Sequence, residues 1–222
     1  LTVRRPPNRR LAGNCRDFAT MLCAMLRHQG VPARVRYGFA TYFEPDYFTD
    51  HVVCEYWNEG KKRWVVVDAQ VDEAQHEAYQ VTIDTCDVSS ASFVVASKAW
   101  HMYRTGEADP ALFGIFPGGP GGESFIRSGL ARDLAALNKL ELLCQDAWGL
   151  GDLEGGLSED DLALLDRIAN LSLSEHDLAE LRVVYENDNR LRVPKVIKCY
   201  TQDGVKKVNV ATGEYVEDVR PS

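Results

Sequence analysis

Three residues whose types could carry acyl-transfer chemistry occur in the order Cys15, His51, Asp68, separated by 36 and 17 positions. Cys15 stands where a helix begins. Unsatisfied backbone N–H groups and the positive dipole end at such a site favour the nucleophilic thiolate. A histidine can take the thiol proton and return it to a leaving group, while an aspartate holds the imidazole in the right tautomer. N–H groups at the start of the Cys15 helix could stabilise an oxyanion. Taken singly, each residue has a plainer reading: a buried structural thiol, a polar residue at a strand edge, a carboxylate capping a turn. The combination needs elements that bring all three together.

The helix is legible over Cys15 to His28. Gly13 and Asn14 break the preceding segment, and Asn is a preferred N-cap. Phe18, Leu22, Met25 and Leu26 recur at helical spacing as a buried stripe. Gly30 and Pro32 stop the helix, with Arg27 and His28 in its last turn. Residues 33–43 then alternate, with Val35, Tyr37, Phe39, Thr41 and Phe43 on one face of a strand. His51 opens a second strand, Val52 to Trp57, and a third runs from Arg63 to Asp68. A four-residue loop at 58–61 pairs Trp57 with Lys62 and sets His51 opposite Asp68, with Cβ atoms about 4.5–5.5 Å apart. A loop one residue longer turns the two side chains to opposite faces. Asn14, Asp17, Tyr42 and Gln70 flank these motifs and are candidate substrate-binding residues.

Beyond residue 70 the pattern changes. Residues 71–91 read as irregular and 93–104 as helical. Ile115 to Gly122 is a Gly/Pro-rich surface loop without the Lys-Ser/Thr ending of a phosphate-binding loop. A long helix is expected over about residues 124–148, with Leu130, Leu134, Leu137, Leu140, Leu143 and Cys144 as its stripe. Ser158 and Ser174, each followed by acids, start helices over about 159–170 and 175–189. The tail carries short strand-like runs that suit a hairpin. The expectation is therefore an α+β core over residues 1–90 with an antiparallel sheet, and a mostly helical part over 91–222 packed on it and ending in a short β hairpin.

The chain has 222 residues, 45% of them hydrophobic and 26% charged, enough for a sizeable core. Its net charge of -8 argues against nucleic-acid binding; the arginines at 4, 5, 9 and 10 are a solvated or docking arm. The 6 cysteines are scattered, without a CxxC pair or a short-spaced Cys/His cluster. That disfavours a metal site and a disulfide framework, and favours a reducing, cytoplasmic compartment. No stretch approaches the about 20 apolar residues of a membrane span.

Four motifs occur in order: Gly13-Asn14-Cys15-Arg16-Asp17-Phe18-Ala19, Gly30-Val31-Pro32-Ala33-Arg34, Asp50-His51-Val52-Val53-Cys54-Glu55-Tyr56 and Trp64-Val65-Val66-Val67-Asp68. Together they resemble the core of the transglutaminase-like superfamily, over about residues 13–70, and within it the compact bacterial-type members without an assigned activity. The resemblance implies a papain-like fold in which Cys15 is the nucleophile, His51 the base and acid, and Asp68 the orienting residue. It implies a thiol-dependent amide hydrolase or acyltransferase working through a thioester, acting on a peptide, protein or small-molecule amide without a cofactor or metal. The rival expectation is a catalytically idle binding or scaffold module on the same fold. Placement of His51 and Asp68 on opposite faces of the hairpin would favour that rival.

Overall fold

The computed structural model describes residues 6, 9, 13–174 and 177–216. Helix α1 spans Cys15–His28 and starts with a reciprocal capping box: Asn14 accepts from the Asp17 amide, and Asp17 accepts from the Asn14 amide. It stops at Gln29, after which Gly30 takes a left-handed φ of 77°. Its buried side is Cys15, Ala19, Leu22, Cys23 and Leu26, packed on Val35, Tyr37, Val52 and Cys54. Leu22 and Leu26 of the expected stripe are on that side, while Met25 is 47% exposed and Phe18 half-buried, with Ala19 and Cys23 in the buried positions instead. The small residues Ala19 and Cys23 let the helix approach the sheet more closely than Phe18 and Met25 would.

That sheet runs β3-β2-β1-β4, with β5 pairing parallel to β2. Its strands are β1 (Ala33–Ala40), β2 (Phe48–Asn58), β3 (Arg63–Val67), β4 (Phe93–Val95) and β5 (Phe113–Gly114). Both α1 and the later helix α4 (Glu123–Leu137) pack on β1, which is buried along nearly its whole length instead of on one face only. Strand β2 begins at Phe48, so His51 lies inside it rather than at its start. Strand β1 ends at Ala40, which frees Tyr42 and Phe43 to fold back. Residues 71–91 are not wholly irregular, because Asp72 caps the short helix α2 (Glu73–Ala78).

Gly38 sits where β1 meets both β2 and β4. A Cβ there would lie 2.3 Å from the Val94 carbonyl oxygen and 2.9 Å from the Val95 Cα, both rigid backbone. Gly38→Ala should therefore force the two strands apart and destabilise the protein by about 1–3 kcal/mol, read as a lower urea midpoint with an unchanged slope. An unchanged midpoint would mean that β4 can shift freely.

In the second half, α3 (Ala96–Thr105), α4, α5 (Glu159–Leu173) and α6 (Leu178–Asn187) bury Trp100, Leu130, Leu134, Leu165 and Leu181 against Phe39 of β1. Residues 93–95, expected to be helical, instead pair with β1. The Ser158 cap is present as a capping box with Asp161. The Ser174 start is not: α6 begins three residues later, and Glu175 and His176 lie outside the described residues. The tail strands β7 (Val196–Thr201), β8 (Gly204–Asn209) and β9 (Tyr215–Val216) join β6 (Asp146–Ala147) in a second antiparallel sheet.

The largest departure from the sequence reading is at α4, which ends at Leu137 instead of near Trp148. Lys139 adopts a φ of 66°, its amide bonds the Ala136 carbonyl, and the Leu140 amide bonds the Ala135 carbonyl. These are the two bonds of a Schellman stop, normally signalled by glycine and here made by a lysine. Leu140, Leu143 and Cys144 consequently leave the helix stripe, and the chain returns towards α1.

Candidate active site

The β2–β3 hairpin closes two residues away from the expected register. Asn58 pairs with Arg63, Trp57 with Trp64, and Cys54 with Val67. The loop still has four residues, now 59–62, and Lys62 takes a φ of 52°. Side-chain direction alternates with a period of two, so a two-residue shift keeps His51 and Asp68 on one face. They meet as diagonal neighbours instead of directly opposed ones. The His51 Nε2–Asp68 Oδ2 distance is 2.8 Å, the arrangement opposite to the one that would have favoured an idle scaffold.

Asp68 follows the last residue of β3 and is held there by its amide, which donates to the Thr85 carbonyl at 2.9 Å. Besides His51, its carboxylate accepts from the Tyr42 hydroxyl at 2.7 Å and from the Gln70 amide at 2.9 Å. Burial raises the carboxyl pKa, but these hydrogen bonds outweigh it and hold the group below its usual range. Tyr42 therefore fixes the carboxylate, and Gln70 contributes its backbone amide. Asn14 and Asp17 are engaged in the α1 capping box, and Asp17 also pairs with Arg16 at 3.1 Å.

His51 is 3% exposed. Phe43 and Tyr42 pack edge-on against its ring, with centroids at 5.0 and 6.2 Å. Nε2 is given to Asp68, and Cys15 lies close enough to act on the charge of the ring. Burial works against the imidazolium, yet the bonds to Asp68 and Cys15 raise its pKa to about 10.

Cys15 meets a residue that the sequence reading had placed on the long helix. Its Sγ lies 3.9 Å from the Cys144 Sγ. Hydrogen bonding from Cys144 is the largest influence on the Cys15 thiol; burial opposes it, and His51 and the Val52 amide add to it, lowering the pKa to about 4. The Cys144 pKa moves up, because its proton is held by Cys15 and because it is buried. Either sulfur could donate by distance alone. The helix start and the imidazolium both belong to Cys15, which makes it the thiolate and Cys144 the donor.

A cavity of about 650 Å³ adjoins this cluster, bordered by Asp50, Phe125, Arg132, Cys144, Leu153 and Tyr200. It touches the cluster at Cys144 and Asp50, while Cys15 and His51 do not line it. Burial pushes the Asp50 carboxyl up to about 6, with the Arg132 guanidinium 3.7 Å away opposing the shift. Sequence reasoning missed Phe43, Asp50 and Cys144. Only the first two had a signal, as neighbours of Tyr42 and His51. Among the described residues, no group of three or more His, Cys, Asp or Glu side chains could hold a metal ion, and no helix is long and apolar enough to cross a membrane.

No curated protein and no solved structure matches the chain. Residues 6–69, a span that contains Cys15, His51 and Asp68 and ends one residue beyond the aspartate, match the family model of the transglutaminase-like superfamily.

Proposed function

We propose that the protein is a thiol-dependent amide hydrolase or acyltransferase in which Cys15 is the nucleophile, His51 the proton carrier and Asp68 the residue that orients it. The observation that carries this reading is the 2.8 Å bond between His51 and Asp68, with Cys15 at the start of α1 near enough for His51 to favour its thiolate. The resting state is a thiolate–imidazolium pair. The thiolate attacks the amide carbonyl carbon, and the oxyanion is met by the amides of Cys15 and Arg16, which the α1 capping box leaves free when it engages Asp17. The imidazolium gives its proton to the departing amine as the C–N bond breaks, leaving a thioester. Sulfur is then neutral, so the part of the His51 pKa that depended on the Cys15 charge is lost and the imidazole becomes a base. It takes a proton from the incoming water or amine, which attacks the thioester carbonyl and releases Cys15 as the thiolate.

Alkylation by iodoacetamide tests this reading. Cys15 stays ionised down to about pH 4, so its labelling rate should be nearly flat from about pH 5 to 8. An ordinary thiol, with a pKa of about 8.5, gains about tenfold per pH unit over that range. The flat component should vanish in Cys15→Ala. A Cys15 rate that rises with pH like that of a free thiol would overturn the assignment.

A further inference from the structure

Two cysteines 129 positions apart in the chain face each other with sulfurs 3.9 Å apart, and the acyl-transfer scheme uses only one of them as a nucleophile. We propose that Cys15 and Cys144 form a peroxide-responsive pair that closes to a disulfide and reopens on reduction by a dithiol.

Three features of the fold carry this. Cys144 lines the 650 Å³ cavity and Cys15, which does not, is only half-buried, so the residues of the sulfur pair are not sealed from a small oxidant. It lies in a turn between α4 and β6, outside any helix or strand. The sulfurs must close by about 2 Å to bond, and on the Cys144 side that displacement moves no regular element. Finally, the pair has the asymmetry that peroxide chemistry needs: an ionised sulfur to attack and a protonated neighbour to resolve.

The steps balance. The Cys15 thiolate attacks one peroxide oxygen, the O–O bond breaks, and a sulfenic acid forms while hydroxide leaves and takes up a proton as water. The Cys144 sulfur then attacks the sulfenic sulfur. The S–S bond forms, the S–O bond breaks, the Cys144 proton joins the departing hydroxide, and a second water leaves. Two thiols lose two electrons and one peroxide gains them. Cys23 and Cys54 provide an internal comparison. They are also in thiol–thiol contact but are 1% and 0% exposed and border neither of the two cavities described, so they should stay reduced.

The experiment treats the full chain with a small molar excess of hydrogen peroxide, followed by mass spectrometry of the intact protein and of its tryptic peptides. The wild type should lose about 2 Da, yield a linked peptide pair containing Cys15 and Cys144, and recover both thiols on treatment with a dithiol. In Cys144→Ser, and in Cys144→Ala as a second variant, no linked pair should form. Cys15 should instead gain about 32 Da as the sulfinic acid, which a dithiol does not reverse. Absence of the linked pair in the wild type overturns the proposal, as does linkage of a different cysteine pair. So does wild-type Cys15 passing to the sulfinic acid as fast as in the variants. The decisive reading is on unsubstituted protein and is a mass, so it does not depend on variant folding or on any amide substrate.

Discussion

His51→Ala should lower turnover of an activated acyl probe such as p-nitrophenyl acetate by about 10²–10⁴-fold, the range associated with a positioned general acid–base group. The loss has two sources. Cys15 gives up the imidazolium and the hydrogen bond that favour its thiolate. The thioester gives up the base that would activate water, so acetylated Cys15 should persist after the probe is removed. Folding should survive, because the Asp68 carboxylate keeps its bonds from Tyr42 and from the Gln70 amide. His51→Ala/Asp68→Ala should be scarcely slower than His51→Ala alone, since residues acting as one unit are not additive. Turnover within tenfold of the wild type, with Cys15→Ala as the floor, would remove His51 from the chemistry.

Asp133→Ala should destabilise the protein by about 3–5 kcal/mol, the usual consequence of leaving a buried charge without its partner. Asp133 in α4 is fully buried and holds Arg36 of β1 at two points, Nε to Oδ1 at 3.0 Å and Nη2 to Oδ2 at 2.9 Å. It also accepts from the Tyr37 amide at 2.9 Å. Without it, Arg36 keeps, among the described residues, Glu55 at 3.1 Å, a carboxylate already shared with Arg34. Urea unfolding near neutral pH measures the loss. Arg36→Met/Asp133→Leu should recover much of it, because both charges are then gone together. A loss below about 1 kcal/mol would mean that water reaches Arg36. The same pair anchors α4 to β1 directly ahead of the segment that carries Cys144, so Asp133→Ala should also weaken the contact between the two sulfurs.

Legibility of the chain from sequence follows the range of the interactions involved. The α1 cap was readable because Asn14 and Asp17 satisfy neighbouring amides of their own helix. The β2–β3 hairpin was readable because a polar turn separates two β-branched and aromatic runs. Its register was not: residues 58–61 and 59–62 are both acceptable loops, and packing chose the second. The error did no harm to the site because side-chain direction repeats every two residues. The α4 stop was hidden because a lysine holds the left-handed position that normally advertises itself as glycine.

Local patterning was sufficient to single out Cys15, His51 and Asp68 as candidates and to order the elements around them, since each lies in a short motif whose capping or alternation is settled by adjacent residues. Tertiary structure alone decided what surrounds Cys15. Cys144 reaches it only because α4 ends at Leu137 and the next residues turn back, and no spacing in the chain relates two positions 129 apart. The opening thiol is therefore one of a facing pair, a property of the folded chain that a motif of neighbouring residues has no means of encoding.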